Sequence, residues 1–214
     1  MKYLSQMSLR GKILGLVVAG MSLLTVSAFV SLKSIANSYK TSLEEEFSDA
    51  ANTIGDRIGA QYFERYGDVQ AFALNSVIRS MDSGKMPALL DDYVKLYGIY
   101  DLILVVDKNG NPVASNLKDT AGKAVNVGAL AKMNFRDADW FKEVMAGRTT
   151  DDKSLGYSGT YFEPLVEDTI LAAAYGEHRY ASGFSTALKN DRGEVVGVIT
   201  NRANEIGLRT PRTI

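Results

Sequence analysis

An uncharged, largely apolar run of twenty residues, Ile13–Leu32, lies near the N-terminus between Lys12 and Lys33. The hydrocarbon core of a bilayer, about 30 Å thick, is crossed by roughly 20 residues of α-helix because each residue adds about 1.5 Å. The polar side chains of the run are hydroxyls that can bond to carbonyl groups of their own helix, so lipid tolerates them. They are Ser22, Thr25, Ser27 and Ser31. The run therefore predicts a transmembrane helix.

Charges on either side of this run predict its orientation. Arg10 and Lys12 precede it, whereas a cluster of acidic residues begins at Glu44. Because basic residues favour the cytoplasmic side, we expect residues 1–12 to be cytoplasmic and residues 13–32 to cross the cell (inner) membrane once. The rest of the chain would then lie outside the cytoplasm. The alternative is a cleaved signal peptide, whose apolar region normally covers only about 7–15 residues.

Composition excludes several classes of function. The chain has 214 residues, a formal net charge of -1 and no cysteine. A chain without excess basic charge offers no surface for nucleic acid, and the lack of cysteine excludes disulfides, thiolate metal ligands and a cysteine nucleophile. A single histidine, His178, cannot build a multi-histidine metal site. We therefore expect no nucleic acid partner, no metal and no cofactor.

The sequence patterns of common enzyme sites are also missing. No Gly-x-Ser-x-Gly element follows a strand, and no Gly-x-x-x-x-Gly-Lys-Ser/Thr loop occurs. Neighbouring carboxylates such as Asp151 and Asp152 lie in polar stretches, where a solvated surface is the simplest interpretation. We therefore expect no enzymatic activity.

From Lys33 to about Arg79 apolar residues recur at helical spacing without a proline. This pattern predicts one amphipathic helix, on the order of 70 Å long, that continues out of the apolar run. So long a helix is expected to pack on a partner helix or on a second copy of the chain, which makes a homodimer the expected state. Gly55 and Gly59 produce either a local kink or a close helix crossing. A second, short helix is predicted at residues 88–97.

Beyond Ile99 the spacing of apolar residues becomes that of β-strands. Strands are predicted at residues 102–106, 112–115, 170–175, 181–189 and 194–200, with Asn-Gly and Asp-Arg-Gly turns. A short helix is predicted within residues 135–147, with Asp137 or Asp139 as its cap. The fold class is therefore α+β, an antiparallel sheet of about five strands with the long helix over one face and the loops and short helix over the other. Residues 205–214 are expected to form an irregular tail.

These segments together resemble the extracytoplasmic Cache sensor domains of bacterial methyl-accepting chemotaxis receptors and sensor kinases. The resemblance rests on the apolar run, the long helix leading to Tyr93, and residues 102–116, 135–147 and 183–199. It implies a PAS-like sheet and a ligand-binding domain over residues 33–204 that transduces a signal across the membrane. In that family a second membrane helix, a HAMP linker and a signalling coiled coil usually follow. The chain stops at Ile214, so we expect a truncated receptor.

The resemblance also implies a ligand pocket. An Arg-x-x-x-Trp-aromatic element borders the pocket in that family, and tyrosines near the covering loop would add apolar surface with one hydroxyl each. An arginine in that element would present donors to a ligand carboxylate, although a salt bridge to a neighbouring aspartate explains it as well. Its tryptophan is either core or pocket wall, and an aspartate could receive an ammonium group. The predicted ligand-binding residues are Arg136, Trp140, Phe141, Tyr157, Tyr161, Asp168 and Tyr175, for a ligand of the amino acid or organic acid class.

Two classes of function stay open at this point. The favoured one is a small-molecule sensor that forms the sensor part of a chemotaxis receptor, a histidine kinase or a cyclase. The other is a membrane-anchored assembly protein of the pilin type, whose head also follows a long helix. Pilin-like helices begin with Gly-Phe-Thr-Leu-x-Glu, whereas Gly11 is followed by Lys12 and the apolar run contains no glutamate.

Overall fold

The computed structural model describes residues 8–204. It divides into two units with the boundary after Asp56, and each unit is described by itself. The prediction for the tail at residues 205–214 and most of the prediction for residues 1–12 lie outside the described residues.

The chain follows the expected order of long helix, hairpin, short helix and hairpin, with further short helices and one further strand between these elements. The helices are α1 (Leu9–Ala73), α2 (Ser76–Arg79), α3 (Met86–Tyr97), α4 (Val127–Leu130), α5 (Asp139–Met145) and α6 (Thr169–Tyr175). The strands are β1 (Tyr100–Asp107), β2 (Pro112–Ser115), β3 (Tyr161–Glu167), β4 (Tyr180–Lys189) and β5 (Val195–Asn204).

The first unit is helical from Leu9 onward, and it contains the apolar run. An 18-residue window of α1 has a mean hydropathy of 2.3 and none of it is buried. The Ser22 and Thr25 hydroxyls each donate a 2.8 Å hydrogen bond to the carbonyl oxygen four residues earlier, as expected for hydroxyls in lipid. By length and composition, α1 can span a membrane.

The end of α1 differs from the prediction. The helix was expected to continue to about Arg79, but it ends at Ala73 and α2 follows as a separate turn. Asn75 causes the break, because its extended backbone leaves the helix and its side chain accepts a 2.9 Å hydrogen bond from the Val77 amide. An asparagine in this position caps a new helix instead of continuing the old one.

The five strands form one antiparallel sheet in the order β2-β1-β5-β4-β3, as the α+β prediction requires. The β1–β2 hairpin turns through Gly110, whose φ of 83° lies in the region that favours glycine. The Asp107 carboxylate accepts hydrogen bonds from the amides of Asn109 and Asn111 and so closes the turn. β5 is the central strand and pairs with both β1 and β4.

Two predictions in the second half of the sheet are wrong. Residues 170–175 are helical, because Asp168 accepts hydrogen bonds from the Ile170 and Leu171 amides and Gly176 ends the helix at a φ of 68°. β3 was missed, because Pro164 and the acidic residues around it resemble a loop. Proline is tolerated there since β3 lies at the edge of the sheet.

Each face of the sheet is covered by its own hydrophobic core. The end of α1 and α3 cover one face, called the α1 face below, where Val69, Phe72 and Leu90 pack on Ile103. The helices α4, α5 and α6 cover the other face, called the α5 face, around Leu104. This layering confirms the predicted placement of the long helix and the short helix on opposite faces.

Candidate functional site

A cavity of about 270 Å³ opens on the α5 face, between α5, the edge strand β3 and the start of α6. Its walls include Trp140 from α5, Glu163 from β3 and Arg202 from β5, and Asp168 lies at the base of α6. The volume is close to the lower end of the range for ligand pockets, about 300–1,000 Å³, so it suits a small molecule.

Arg202 is the most buried charged residue of this cavity. Its side chain is 2% exposed, and its Nη1 donates a hydrogen bond to Glu163 Oε2. Its Nε lies 3.2 Å from Asp168 Oδ2 in an ion pair without hydrogen-bond alignment. The guanidinium carbon is 5.6 Å from the centre of the Trp140 ring, a cation–π distance. Buried charge is tolerated when it is paired in this way.

The sheet register brings this arginine to its partner. Glu163 on β3, Gly183 on β4 and Arg202 on β5 lie directly opposite one another across three strands. A Cβ atom added at Gly183 would overlap Arg202 Nη1 and Glu163 Oε2. The ion pair therefore passes over the middle strand, and that strand requires a glycine at this position.

α5 positions the aromatic wall. Trp140 and Phe141 are 3% and 4% exposed, and their ring centres lie 5.9 Å apart in an edge-to-face arrangement. Trp140 is part of the hydrophobic core and also forms a wall of the cavity, so it fits both the core and the pocket-wall interpretation. The predicted cap by Asp137 or Asp139 is wrong, because Ala138 occupies the N-cap and α5 begins at Asp139 without a side-chain cap.

The cavity carries an excess of negative charge. Two carboxylates at its rim have partners of their own, since Asp139 binds Lys142 at 2.9 Å and Glu167 contacts His178. In the interior, the carboxylates of Glu163 and Asp168 face the single guanidinium of Arg202. Two negative charges against one positive leave an excess of one negative charge.

The two interior carboxylates differ in the oxygens they leave free. Asp168 is engaged at both oxygens, because Oδ1 accepts the two α6 amides and Oδ2 faces Arg202. Glu163 uses Oε2 for Arg202, and within residues 8–204 its Oε1 has no protein partner. Glu163 is 27% exposed, so of the two interior carboxylates it is the one that can offer an oxygen, Oε1, to a ligand donor.

The predicted ligand-binding residues are only partly brought together. Trp140 and Asp168 line the cavity, and Phe141 lies behind Trp140. Arg136 is exposed beside the β1–β2 turn; its amide donates to Asn134, and its guanidinium has no ion pair within the described chain. The proposed salt bridge to a neighbouring aspartate is therefore not formed. The role of Arg136 in ligand binding stays a prediction.

The three tyrosines lie apart from the cavity lining. Tyr161 is half-buried on the α5 face, and Tyr157 packs against Tyr66 on the α1 face with ring centres 4.7 Å apart. The Tyr175 hydroxyl donates a 2.6 Å hydrogen bond to the Asp101 carbonyl, and burial raises its pKa. The Arg179 guanidinium stacks 3.9 Å above the Tyr175 ring. Ligand binding by these tyrosines stays a prediction.

Sequence reasoning missed the two residues that dominate the cavity, Glu163 and Arg202. A signal existed for Arg202, because a lone arginine in a strand of small and apolar residues must be paired if the strand is central. No local signal identifies Glu163 as its partner, since 39 residues separate them.

Comparison with known proteins gives matches in structure but not in sequence. No protein-family model and no curated protein matches the chain. Among solved structures, the ligand-binding domain of the Campylobacter jejuni chemoreceptor Tlp3 is 14% identical with a TM-score of 0.51, over 75% of this chain and 60% of that one. The Vibrio cholerae histidine kinase DctB sensor domain is 12% identical with a TM-score of 0.55, over 79% and 60%.

A third solved structure is the ligand-binding domain of the Pseudomonas aeruginosa amino acid chemoreceptor PctC, at 15% identity and a TM-score of 0.50, over 73% of this chain and 61% of that one. The chain thus spans about three fifths of the length of these structures. Identities this low show the fold alone. The resemblance predicted from the sequence is confirmed at that level: the chain has the fold of the ligand-binding sensor domains of bacterial chemoreceptors and of a sensor histidine kinase.

Proposed function

We propose that this chain is the sensor region of a single-pass membrane receptor that binds a small molecule outside the cytoplasm and transmits that binding across the membrane. The output is most simply that of a methyl-accepting chemotaxis receptor, with a histidine kinase or a cyclase as the alternative. The observation that carries the proposal is the cavity in which the paired, buried Arg202 lies under Trp140. The role is one of binding, without catalysis.

The charge of the cavity favours a ligand that carries an ammonium group. The interior has one excess negative charge, and Glu163 Oε1 is free to accept a hydrogen bond from a cation. The Tlp3 structure contains 4-methylisoleucine and the PctC structure contains GABA, and both molecules carry an amino group. Within the predicted class, amino acids and amines are therefore favoured over simple organic acids.

β3 offers a route from the cavity to α1. The strand that carries Glu163 is preceded by Thr160, whose hydroxyl donates a 2.9 Å hydrogen bond to the Tyr66 carbonyl of α1. The Tyr66 hydroxyl in turn donates to the Thr150 carbonyl at 2.6 Å. A ligand that binds one arrangement of β3 better than another would shift α1 by the difference in its affinities.

Thermal unfolding of the full chain in detergent tests ligand binding. A matching ligand at a hundredfold excess over its dissociation constant should stabilise the domain by about 2.7 kcal/mol. A panel of amino acids, amines and organic acids would identify it. Glu163→Gln should reduce the shift given by an ammonium ligand, whereas the same change at the exposed Glu194 should not. Equal shifts in both variants, or no shift with any compound, would contradict the proposal.

We also propose that the chain forms a homodimer that pairs through the helix of its first unit. Ile35, Tyr39 and Phe47 are 61%, 68% and 72% exposed on α1, so an apolar stripe is available to a second copy. Because the chain has no cysteine, single cysteines placed along this segment report only on the new position. Cross-linking should vary with a period near 3.5 residues if the helices pair, and uniform or absent cross-linking would exclude pairing.

A further inference from the structure

A second cavity, of about 440 Å³, lies on the α1 face of the sheet. It is formed within the second unit by the last turns of α1, the loop before β3, and the strands β3 and β4. Its volume falls within the usual range for small-molecule sites, about 300–1,000 Å³. The cavity under Trp140 lies on the opposite side of the sheet, and of the predicted pocket residues only Tyr157 lines this second cavity.

Aromatic rings make most of the wall. Tyr62 meets Phe162 edge to face at 5.3 Å, and Phe184 lies 5.3 Å from Phe162. Tyr66 meets Tyr157 in the same way at 4.7 Å. Rings that present both edges and faces around an open volume are suited to receive another aromatic ring, because edge-to-face and offset arrangements are the favourable ones.

Most polar side chains of the wall have hydrogen-bond partners within the domain. The Tyr66 hydroxyl donates to the Thr150 carbonyl, and the Tyr62 hydroxyl shares a 3.2 Å hydrogen bond with Ser182. Asp152 is the exception. Its Oδ1 accepts from the amide and hydroxyl of Ser154, whereas its Oδ2 has no partner within the described residues. These hydrogen bonds from Ser154 hold the pKa of Asp152 below its usual value, so the free oxygen belongs to an ionised carboxylate.

We infer that this cavity is a second ligand site, which takes a small uncharged aromatic molecule with one N–H or O–H donor. The ring enters between Tyr62, Tyr157 and Phe162, and its donor faces Asp152 at the rim. The exposed Leu155, at 63%, lies at the mouth and covers the bound ring.

The second site is connected to the first through β3. Phe162 lines the second cavity and Glu163, the next residue, lines the first one on the opposite face of the same strand. Tyr62 and Tyr66 belong to α1, so an occupant would touch the helix as well as the strand. If the aromatic ligand changes the affinity of the first cavity for its own ligand, that ligand must change the affinity for the aromatic molecule by the same factor.

Indole is a suitable probe, because it is an uncharged aromatic molecule with one N–H donor. Its binding to the full chain in detergent can be measured by saturation-transfer NMR and by calorimetry. Leu155→Ala should weaken indole binding about fourfold, because the ring loses contact equivalent to about one methylene group. Leu96→Ala is the matched control, a leucine that is 72% exposed on α3 and does not line the cavity. Benzofuran, which has the same shape without the donor, should bind more weakly than indole.

Several results would overturn the inference. Absence of indole binding at millimolar concentration would exclude an aromatic site. Equal affinities in Leu155→Ala and Leu96→Ala would exclude this cavity as the site. Loss of indole binding in Glu163→Gln, together with an unchanged affinity in Leu155→Ala, would place the molecule in the first cavity instead. Since both leucines are exposed, the variants should fold, and the unfolding transition of Trp140 fluorescence checks that they do.

Discussion

Replacing Arg202 with methionine tests the ion pair at the centre of the first cavity. Arg202 is 2% exposed, and its partners Glu163 and Asp168 are 27% and 8% exposed. Removing one member of a buried ion pair costs about 3–5 kcal/mol, because the remaining charge stays buried without a partner. Glu163 is exposed enough to regain water, whereas Asp168 is not. We therefore expect a loss near the lower end of that range, about 3 kcal/mol.

Trp140 provides the assay, because it is the only tryptophan of the chain and lies 5.6 Å from the guanidinium. Urea unfolding of the full chain in detergent, followed by its fluorescence, gives the free energy of unfolding. A loss of about 3 kcal/mol corresponds to a fall of roughly 6–12 °C in Tm for a domain of this size. The matched control is Arg192→Met, whose side chain is 80% exposed and whose ion pair should contribute less than about 1 kcal/mol.

A rescue variant separates the charge effect from lost packing. Arg202→Met combined with Glu163→Gln and Asp168→Asn removes all three charges, and asparagine still caps α6. Most of the lost stability should return, because no unpaired charge then stays buried. The reasoning is refuted if Arg202→Met costs no more than Arg192→Met, or if the triple variant is less stable than the single one.

Three further predictions use the same protein. Gly183→Ala should lower stability and abolish the ligand response, because the new Cβ overlaps Arg202 and Glu163; unchanged unfolding and binding would contradict this. Burial raises the pKa of Asp68 above 3.8, its value in the unfolded chain, so the folded state keeps the carboxyl proton up to a higher pH than the unfolded state does. The free energy of unfolding therefore falls as the pH rises through the folded pKa. The stability of the wild type relative to Asp68→Asn should therefore be greater near pH 4 than near pH 7, and a constant difference would exclude the effect. A reporter that is active only outside the cytoplasm should work when fused after Met81, and activity of a cytoplasmic reporter there would reverse the orientation.

The hairpins of the fold could be predicted because their signals are local. Residues 102–115 combine an apolar strand, an Asn-Gly turn and a returning strand, and the structure forms this hairpin. Residues 170–175 are a short apolar run that fits either a strand or a buried helix. The helix forms because Asp168 caps it and Gly176 ends it, and cap geometry is not visible in the periodicity. Pro164 hides β3, because a proline is tolerated only where the strand is at an edge, and edges follow from the sheet order.

The cavity is harder to predict for a related reason. Trp140 could be found from its family resemblance, and its burial follows from the helical spacing of its neighbours. Glu163 and Arg202 meet only because β4 separates their strands and Gly183 leaves room above it. Such a contact depends on the order and register of three strands, and no pattern within one segment contains that information.

The position of β5 also determines when the domain can fold during synthesis. Among the described strands, β5 is central in the sheet and last along the chain. Until the ribosome has made the residues after Val195, β1 and β4 are unpaired on the side that β5 later occupies. Such unpaired strand edges can bind strands of other chains. Arg202 lies on the same strand. A nascent chain therefore completes its sheet and places Arg202 in the first cavity in the same step, so the fold and the charge pair of that cavity form together.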